Sequence, residues 1–250
     1  MNVPINIIGL CVFLVLTIIY FIVVYNTSPK HHTIEFIIYV MLLYILQFLS
    51  NLLFSKNLCG DVQVQSAFLY TVIPWIIIFG ILITILIILP AWLKPFANTI
   101  GYLFIKMFGL KSLLNKILKP MDLTTNKQLN ADIHKLYDNP SLLINEIPNT
   151  EEGFNNFKNE MDDLLNKNAD LEKNLNKLKK LIDLKFLISK FIWYVLGGLL
   201  TFAVSCNYMI KSSCKLSVKQ MENKHTEYER MVKEQEEKEI KPRVYRNYGE

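Results

Sequence analysis

Pro74-Trp75-Ile76-Ile77-Ile78-Phe79-Gly80-Ile81-Leu82-Ile83-Thr84-Ile85-Leu86-Ile87-Ile88-Leu89-Pro90-Ala91-Trp92-Leu93-Lys94-Pro95-Phe96-Ala97-Asn98-Thr99-Ile100-Gly101-Tyr102 is the stretch on which the reading of this chain turns. With the residues just before it, it makes an uncharged apolar block over 66–89. A bilayer crossing needs about 20 apolar residues at 1.5 Å rise each. This block meets that length and then stops at a proline. Pro74 lies inside it, lacks an N–H and predicts a kink. Neighbouring helices in a membrane bundle satisfy the carbonyl such a proline frees. Trp75 is expected to pack against another span.

Two further blocks precede it, over 5–25 and 33–54, and one follows over 186–210. The chain has 250 residues, 52% of them hydrophobic. A soluble domain of this size interleaves apolar and polar residues; here they are segregated. The fold class is therefore all-α and multi-pass, with four spans. The first block has no positive residue ahead of it, and no small-residue cleavage site follows. It reads as an uncleaved span rather than a signal peptide. Asn26-Thr27-Ser28 matches a glycosylation sequon, but abuts the membrane and is expected to be unused. His31-His32, without further ligands, reads as a polar turn rather than a metal site. Gln47, Ser50 and Asn51 fall near the end of the second span. They either line a polar path or bond to neighbouring helices.

Beyond Pro90 the chain changes character. Trp92 belongs at the membrane interface. Pro95 is expected to interrupt the helix, and Asn98 or Thr99 to cap the next one. Apolar residues at 100, 103, 104, 107, 114, 117 and 118 then predict one helix over 100–118, lying in the interface plane. A short amphipathic helix is expected over 129–137. From Phe157 the spacing alternates four and three through Met161, Leu164, Asn168, Leu171, Leu175, Leu178 and Ile182. That is a coiled-coil pattern with one polar core position, Asn168. The pattern fits self-association or pairing with a partner helix; it equally fits packing on the chain's own body. It runs without a breaker into the fourth span, so one helix over 155–210 is expected. Lys185 and Lys190 are expected to snorkel toward the headgroups. Gly197-Gly198 permits close helix contact. A second, weaker pattern through Val218, Met221, His225, Tyr228 and Val232 predicts a tail helix ending near residue 240.

The organisation is thus a hairpin (1–65), a third span with its turn (66–102), an interfacial helix and linker (103–153), a long helix entering the fourth span (154–210), and a charged tail (211–250). Four spans put the Cys59 loop and the tail on one side, residues 90–185 on the other. Lys94, Lys106 and Lys111 favour the cytosolic side for the latter. Cys59 and Cys214 then share the opposite compartment and could pair there, with Cys206 as a rival lying deeper in the helix. Cys11 reads as a small buried hydrophobe.

No catalytic constellation is visible: no nucleotide loop, no zinc spacing, no Cys–His or Ser–His pair in context. The expectation is a non-enzymatic protein without metal or cofactor. The net charge of +5 mixes both signs, so nucleic acid is not an expected partner.

Pro74-Trp75, Phe79-Gly80, and Pro90 to Tyr102 with its Trp92, Pro95, Asn98 and Gly101, resemble a membrane protein family of the nucleocytoplasmic large DNA viruses. Trp193-Tyr194, Gly197-Gly198-Leu199-Leu200-Thr201 and Ser205-Cys206-Asn207-Tyr208 resemble that family's last span. The chain departs from the family's Phe-Pro-Gly-Trp in carrying Leu89-Pro90-Ala91-Trp92. The resemblance implies a protein of the internal virion membrane, made on host endoplasmic reticulum and contacting capsid or other membrane proteins. Two other functions fit the residues. One is a channel lined by Gln47, Asn51 and Pro74. The other is a tether or fusion factor that zips through 157–182.

Overall fold

A computed structural model describes residues 6–119, 138–212, 214 and 218–239. Four helical stretches are long and apolar enough to cross a membrane: Ile7–Asn26, Pro29–Cys59, Val64–Ile88 and a part of Leu171–Lys211. The chain is a multi-pass, all-α membrane protein.

The first span is α1, Ile7–Asn26, capped at its start by the Asn6 side chain, which accepts from the Gly9 N–H at 2.9 Å. A 3-10 turn, Pro29–His31, folds the chain straight back into α2, His32–Cys59. Helix α2 runs five residues past the expected end. Its stop is Gly60, whose left-handed backbone (φ 73°) ends the helix without the Cβ penalty other residues would meet. The loop expected over 55–65 thus shrinks to a few residues before α3, Val64–Pro74.

The third span changes winding where Pro74 predicts it. A wider π turn, Trp75–Gly80, follows the proline, then α4, Ile81–Ile88. Trp75 is buried between Phe13 and Phe79, with ring centroids 5.6 and 5.2 Å away. The interhelical packing expected of it is present.

Past Leu89 come a 3-10 turn, Pro90–Leu93, a helical turn α5, Lys94–Phe96, a π turn, Ala97–Gly101, and α6, Tyr102–Met107. Two expectations are corrected here. Pro95 does not delay the helix; it occupies the first turn of α5, where a missing N–H costs nothing. Asn98 and Thr99 do not cap a new helix, because they lie within a winding already begun. The single interfacial helix over 100–118 is also corrected. Gly109, at φ 87°, breaks it into α6 and α7, Leu110–Ile117. The two halves face differently: Leu103, Phe104 and Met107 are exposed, whereas Leu110, Leu114, Ile117 and Leu118 are buried.

After α8, Ser141–Ile144, and α9, Glu151–Glu160, the chain turns through residues 161–170 before α10, Leu171–Lys211. The helix expected over 129–137 lies outside the described residues. Helix α10 has 41 residues and is about 60 Å long at 1.5 Å per residue. It is continuous with the fourth span as expected, but begins at Leu171.

The coiled-coil rod is the main correction. Phe157 and Met161 belong to α9 and its end, Leu164 and Asn168 to the connecting turn. Asn168 is exposed and accepts from the Asp170 N–H at 3.2 Å, which favours a turn over a helix. A short antiparallel bridge ties Leu118 to Leu165, with Asn166 N–H donating to Ile117 at 2.8 Å. The apolar stripe is used internally. Phe157, Leu175, Leu178 and Ile182 are buried, with Met161, Leu164 and Leu171 packed against the same core as Leu114, Ile117, Ile144 and Phe154. Helix α9 doubles back onto α10 instead of extending it, so Phe157, Leu175, Leu178 and Ile182 face the chain's own core rather than forming one continuous rod.

The charged tail forms α11, Val218–Glu239. Residues 241–250 lie outside the described part.

Candidate functional site

The four spans are joined at one end by a buried polar chain. Asn6 Nδ2 donates to Asn51 Oδ1 at 3.2 Å, and Ser50 Oγ to Asn6 Oδ1 at 3.1 Å. Gln47 Nε2 donates to the Gly9 carbonyl at 2.8 Å. Asn51 Nδ2 reaches Thr71 Oγ1 at 2.7 Å and Ser205 Oγ at 3.0 Å. Ser205 Oγ in turn donates to the Tyr70 carbonyl at 2.6 Å. Tyr70 is four residues before Pro74, so its carbonyl is the one the proline deprives of a helical donor. Each span contributes, and every link is between neighbouring helices. Gln47 and Asn51 are both buried.

The middle of the bundle is closed by rings. Tyr20 stacks on Tyr39 at 4.4 Å, and Phe21 meets Tyr194 edge-on at 5.2 Å. Thr17 and Tyr39 hydroxyls are 3.1 Å apart. Gly197 and Gly198 lie directly on Leu82 and Phe13; a Cβ at either would overlap those side chains. The close contact expected of the glycine pair is present. Cys11, expected to be buried, is exposed on the outer face of α1.

At the opposite end the turn motif is clasped to α10. Lys185, Ser189 and Trp193 stand at i, i+4 and i+8, one stripe on that helix. Trp193 Nε1 donates to the Trp92 carbonyl at 2.8 Å, and its ring sits 5.7 Å from Trp92 and 5.1 Å from Phe96. Ser189 Oγ donates to the Leu93 carbonyl at 2.6 Å. Lys185 Nζ donates to Asn98 Oδ1 at 3.1 Å and to the Ile144 carbonyl at 2.9 Å, with Asn145 Oδ1 at 3.5 Å. Gly101 closes the clasp: a Cβ there would lie 2.5 Å from the Lys185 carbonyl oxygen. Tyr102 packs against the core beside it.

Lys185 is fully buried, so the snorkelling expected of it is corrected. A buried ammonium is tolerated when its protons are hydrogen-bonded, and here amide and carbonyl oxygens receive them. Lys190 lies 5.7 Å over the Tyr194 ring. Of the turn motif, Trp92, Asn98 and Gly101 make direct contacts with α10, Pro90 and Pro95 shape the backbone that offers the carbonyls, and Pro74 and Trp75 belong to the bundle. The stripe Lys185–Ser189–Trp193 was the signal for their partner: three polar or amphipathic residues four apart at the entry to a span.

Cys59 and Cys214 form a disulfide, with Cα atoms 5.5 Å apart, while Cys206 remains a buried thiol. The bridge ties the end of α2 to the chain leaving α10. Groups of His, Cys, Asp or Glu able to hold a metal ion are absent among the described residues. Compared with models of protein families, with curated proteins and with solved structures, the chain matches none.

Proposed function

We propose that this chain is a structural membrane protein of a large DNA virus particle, anchoring the internal lipid layer and holding a small folded module at its surface for capsid or other membrane proteins. The observation that carries the structural role is the clasp. Three side chains of α10 grip three consecutive parts of the turn and the α8 segment, so the module has a fixed attitude to the membrane. The bundle supports the same role, because its buried polar groups bond between spans rather than toward a lumen. That arrangement weighs against the channel reading. The internal use of the 157–182 stripe weighs against zipping as the means of tethering.

The particle setting rests on the resemblance of residues 74–102 and 193–208. The disulfide supports an oxidising compartment on the Cys59 side. With Lys94, Lys106 and Lys111 across the membrane, this is the orientation of a protein inserted at the endoplasmic reticulum with its module cytosolic.

The test is mass spectrometry of purified particles before and after mild detergent. A stoichiometric chain, released or exposed with the lipid, is the expected result. Abundance in infected-cell membranes and absence from particles would overturn it. In particles, Pro90→Ala with Pro95→Ala is expected to weaken assembly while membrane insertion persists. Unchanged assembly would remove the turn as the functional element.

A further inference from the structure

The level at which the bilayer ends can be read from two juxtapositions. Tyr25, in the last turn of α1, lines the same apolar groove as Leu184. Gly101 lies on the backbone of Lys185, the next residue of α10. The segment around Gly101 therefore sits where the first span leaves the hydrocarbon. There α6 and its flanks divide into two faces. Ala97, Gly101 and Ile105 are buried toward the protein. Ile100, Leu103, Phe104 and Met107, at i, i+3, i+4 and i+7, point outward, and Met107 and Phe108 are 77% and 65% exposed. Such a face is costly in water and stable in the headgroup region. Lys94, Lys106 and Lys111 are exposed along the same segment, and residues 62–121 contain no Asp or Glu.

We propose that residues 94–111 form a binding surface for anionic phospholipid. Leu103, Phe104, Met107 and Phe108 enter the acyl boundary, and the three lysines hold the headgroup phosphates and carboxylates. The apolar part is continuous with the lipid-facing surface of the spans. The charge selects anionic over zwitterionic lipid, with each lysine near the surface contributing about a fivefold preference. This inference concerns the purified chain and its bilayer, so it stands or falls apart from the particle setting.

The full chain is reconstituted in nanodiscs of phosphatidylcholine with a minority of phosphatidylserine. Lipids retained on the released protein are then counted by native mass spectrometry. The expected result is phosphatidylserine enriched at least about fivefold over the disc composition. The enrichment is expected to vanish in the Lys94→Gln, Lys106→Gln, Lys111→Gln variant. All three side chains are exposed, and an intact Cys59–Cys214 bridge checks that this variant is folded. A polarity-sensitive dye on Met107→Cys, in a background with Cys11 and Cys206 replaced by Ser, is expected to report an apolar setting. Three results would each overturn the assignment: retained lipid at the bulk ratio, enrichment that survives the triple substitution, or a dye in a water-like setting.

Discussion

The Ser205 hydroxyl lies 2.6 Å from the Tyr70 carbonyl oxygen, the acceptor that Pro74 leaves without its helical donor. A kink in one span is thus satisfied by a side chain of another, and the same hydroxyl accepts from Asn51 at 3.0 Å. Ser205→Ala should orphan the carbonyl at a cost of about 1–3 kcal/mol. The cost should shrink in a Pro74→Ala background, because the restored N–H supplies the missing donor. A double-mutant cycle by thermal or denaturant unfolding in detergent measures this coupling. Equal costs in both backgrounds would sink the assignment.

Lys185 is the second junction. Lys185→Ala removes a donor to the Ile144 carbonyl and to Asn98, leaving the buried Ile144 carbonyl unpaired. The expected loss is about 1–3 kcal/mol, felt first as faster amide exchange over 141–165. Exchange unchanged there, with the variant folded, would show that the clasp does not hold the module.

Trp193→Phe separates ring packing from hydrogen bonding. It keeps an aromatic against Phe96 but removes the donor to the Trp92 carbonyl. The expected cost is about 0.5–1.5 kcal/mol, and Trp193→Ala should cost more, since a large side chain is lost as well. Unfolding midpoints in detergent rank the two; the reverse order would contradict the packing.

Asn168 distinguishes a rod from a folded-back module. In a coiled coil, Asn168→Leu would raise stability and alter partner number. Here the residue is exposed in a turn and its side chain accepts from the Asp170 N–H, so the change should lower stability by about 0.5–1.5 kcal/mol with the oligomeric state unaltered. Analytical ultracentrifugation in detergent, alongside unfolding, checks both.

The bridge between Cys59 and Cys214 predicts a thiol count. Denatured under non-reducing conditions, the chain should take up maleimide at two sites, Cys11 and Cys206. After reduction all four cysteines should react. Four additions without reductant would remove the bridge.

How legible this protein was follows from the range of the forces involved. The spans, the winding change after Pro74, the burial of Trp75 and the close approach at Gly197–Gly198 come from local chemistry. Twenty apolar residues, a missing N–H and a missing Cβ act wherever they occur. The sharing of one compartment by Cys59 and Cys214 follows from counting spans, and the fold joins the two. The four-three spacing through Phe157 and Ile182 showed only that one face is apolar. Whether α9 continues into α10 or turns back was settled by the bridge of Leu118 to Leu165 and the core around Ile144, both distant in sequence. The stripe over 100–118 likewise ran through Gly109, whose left-handed backbone sends its halves to different surroundings. Lys185 carried no inward signal of its own, since a lysine at a membrane edge ordinarily reaches for water. Only the fold brings Asn98 and Ile144 to its ammonium and makes burial tolerable. By itself, then, the sequence determined which segments enter the bilayer, because transfer free energy depends on local composition. Tertiary structure alone decided where the third span's turn, the module and the fourth-span helix meet, because those hydrogen bonds join residues 40 to 101 positions apart.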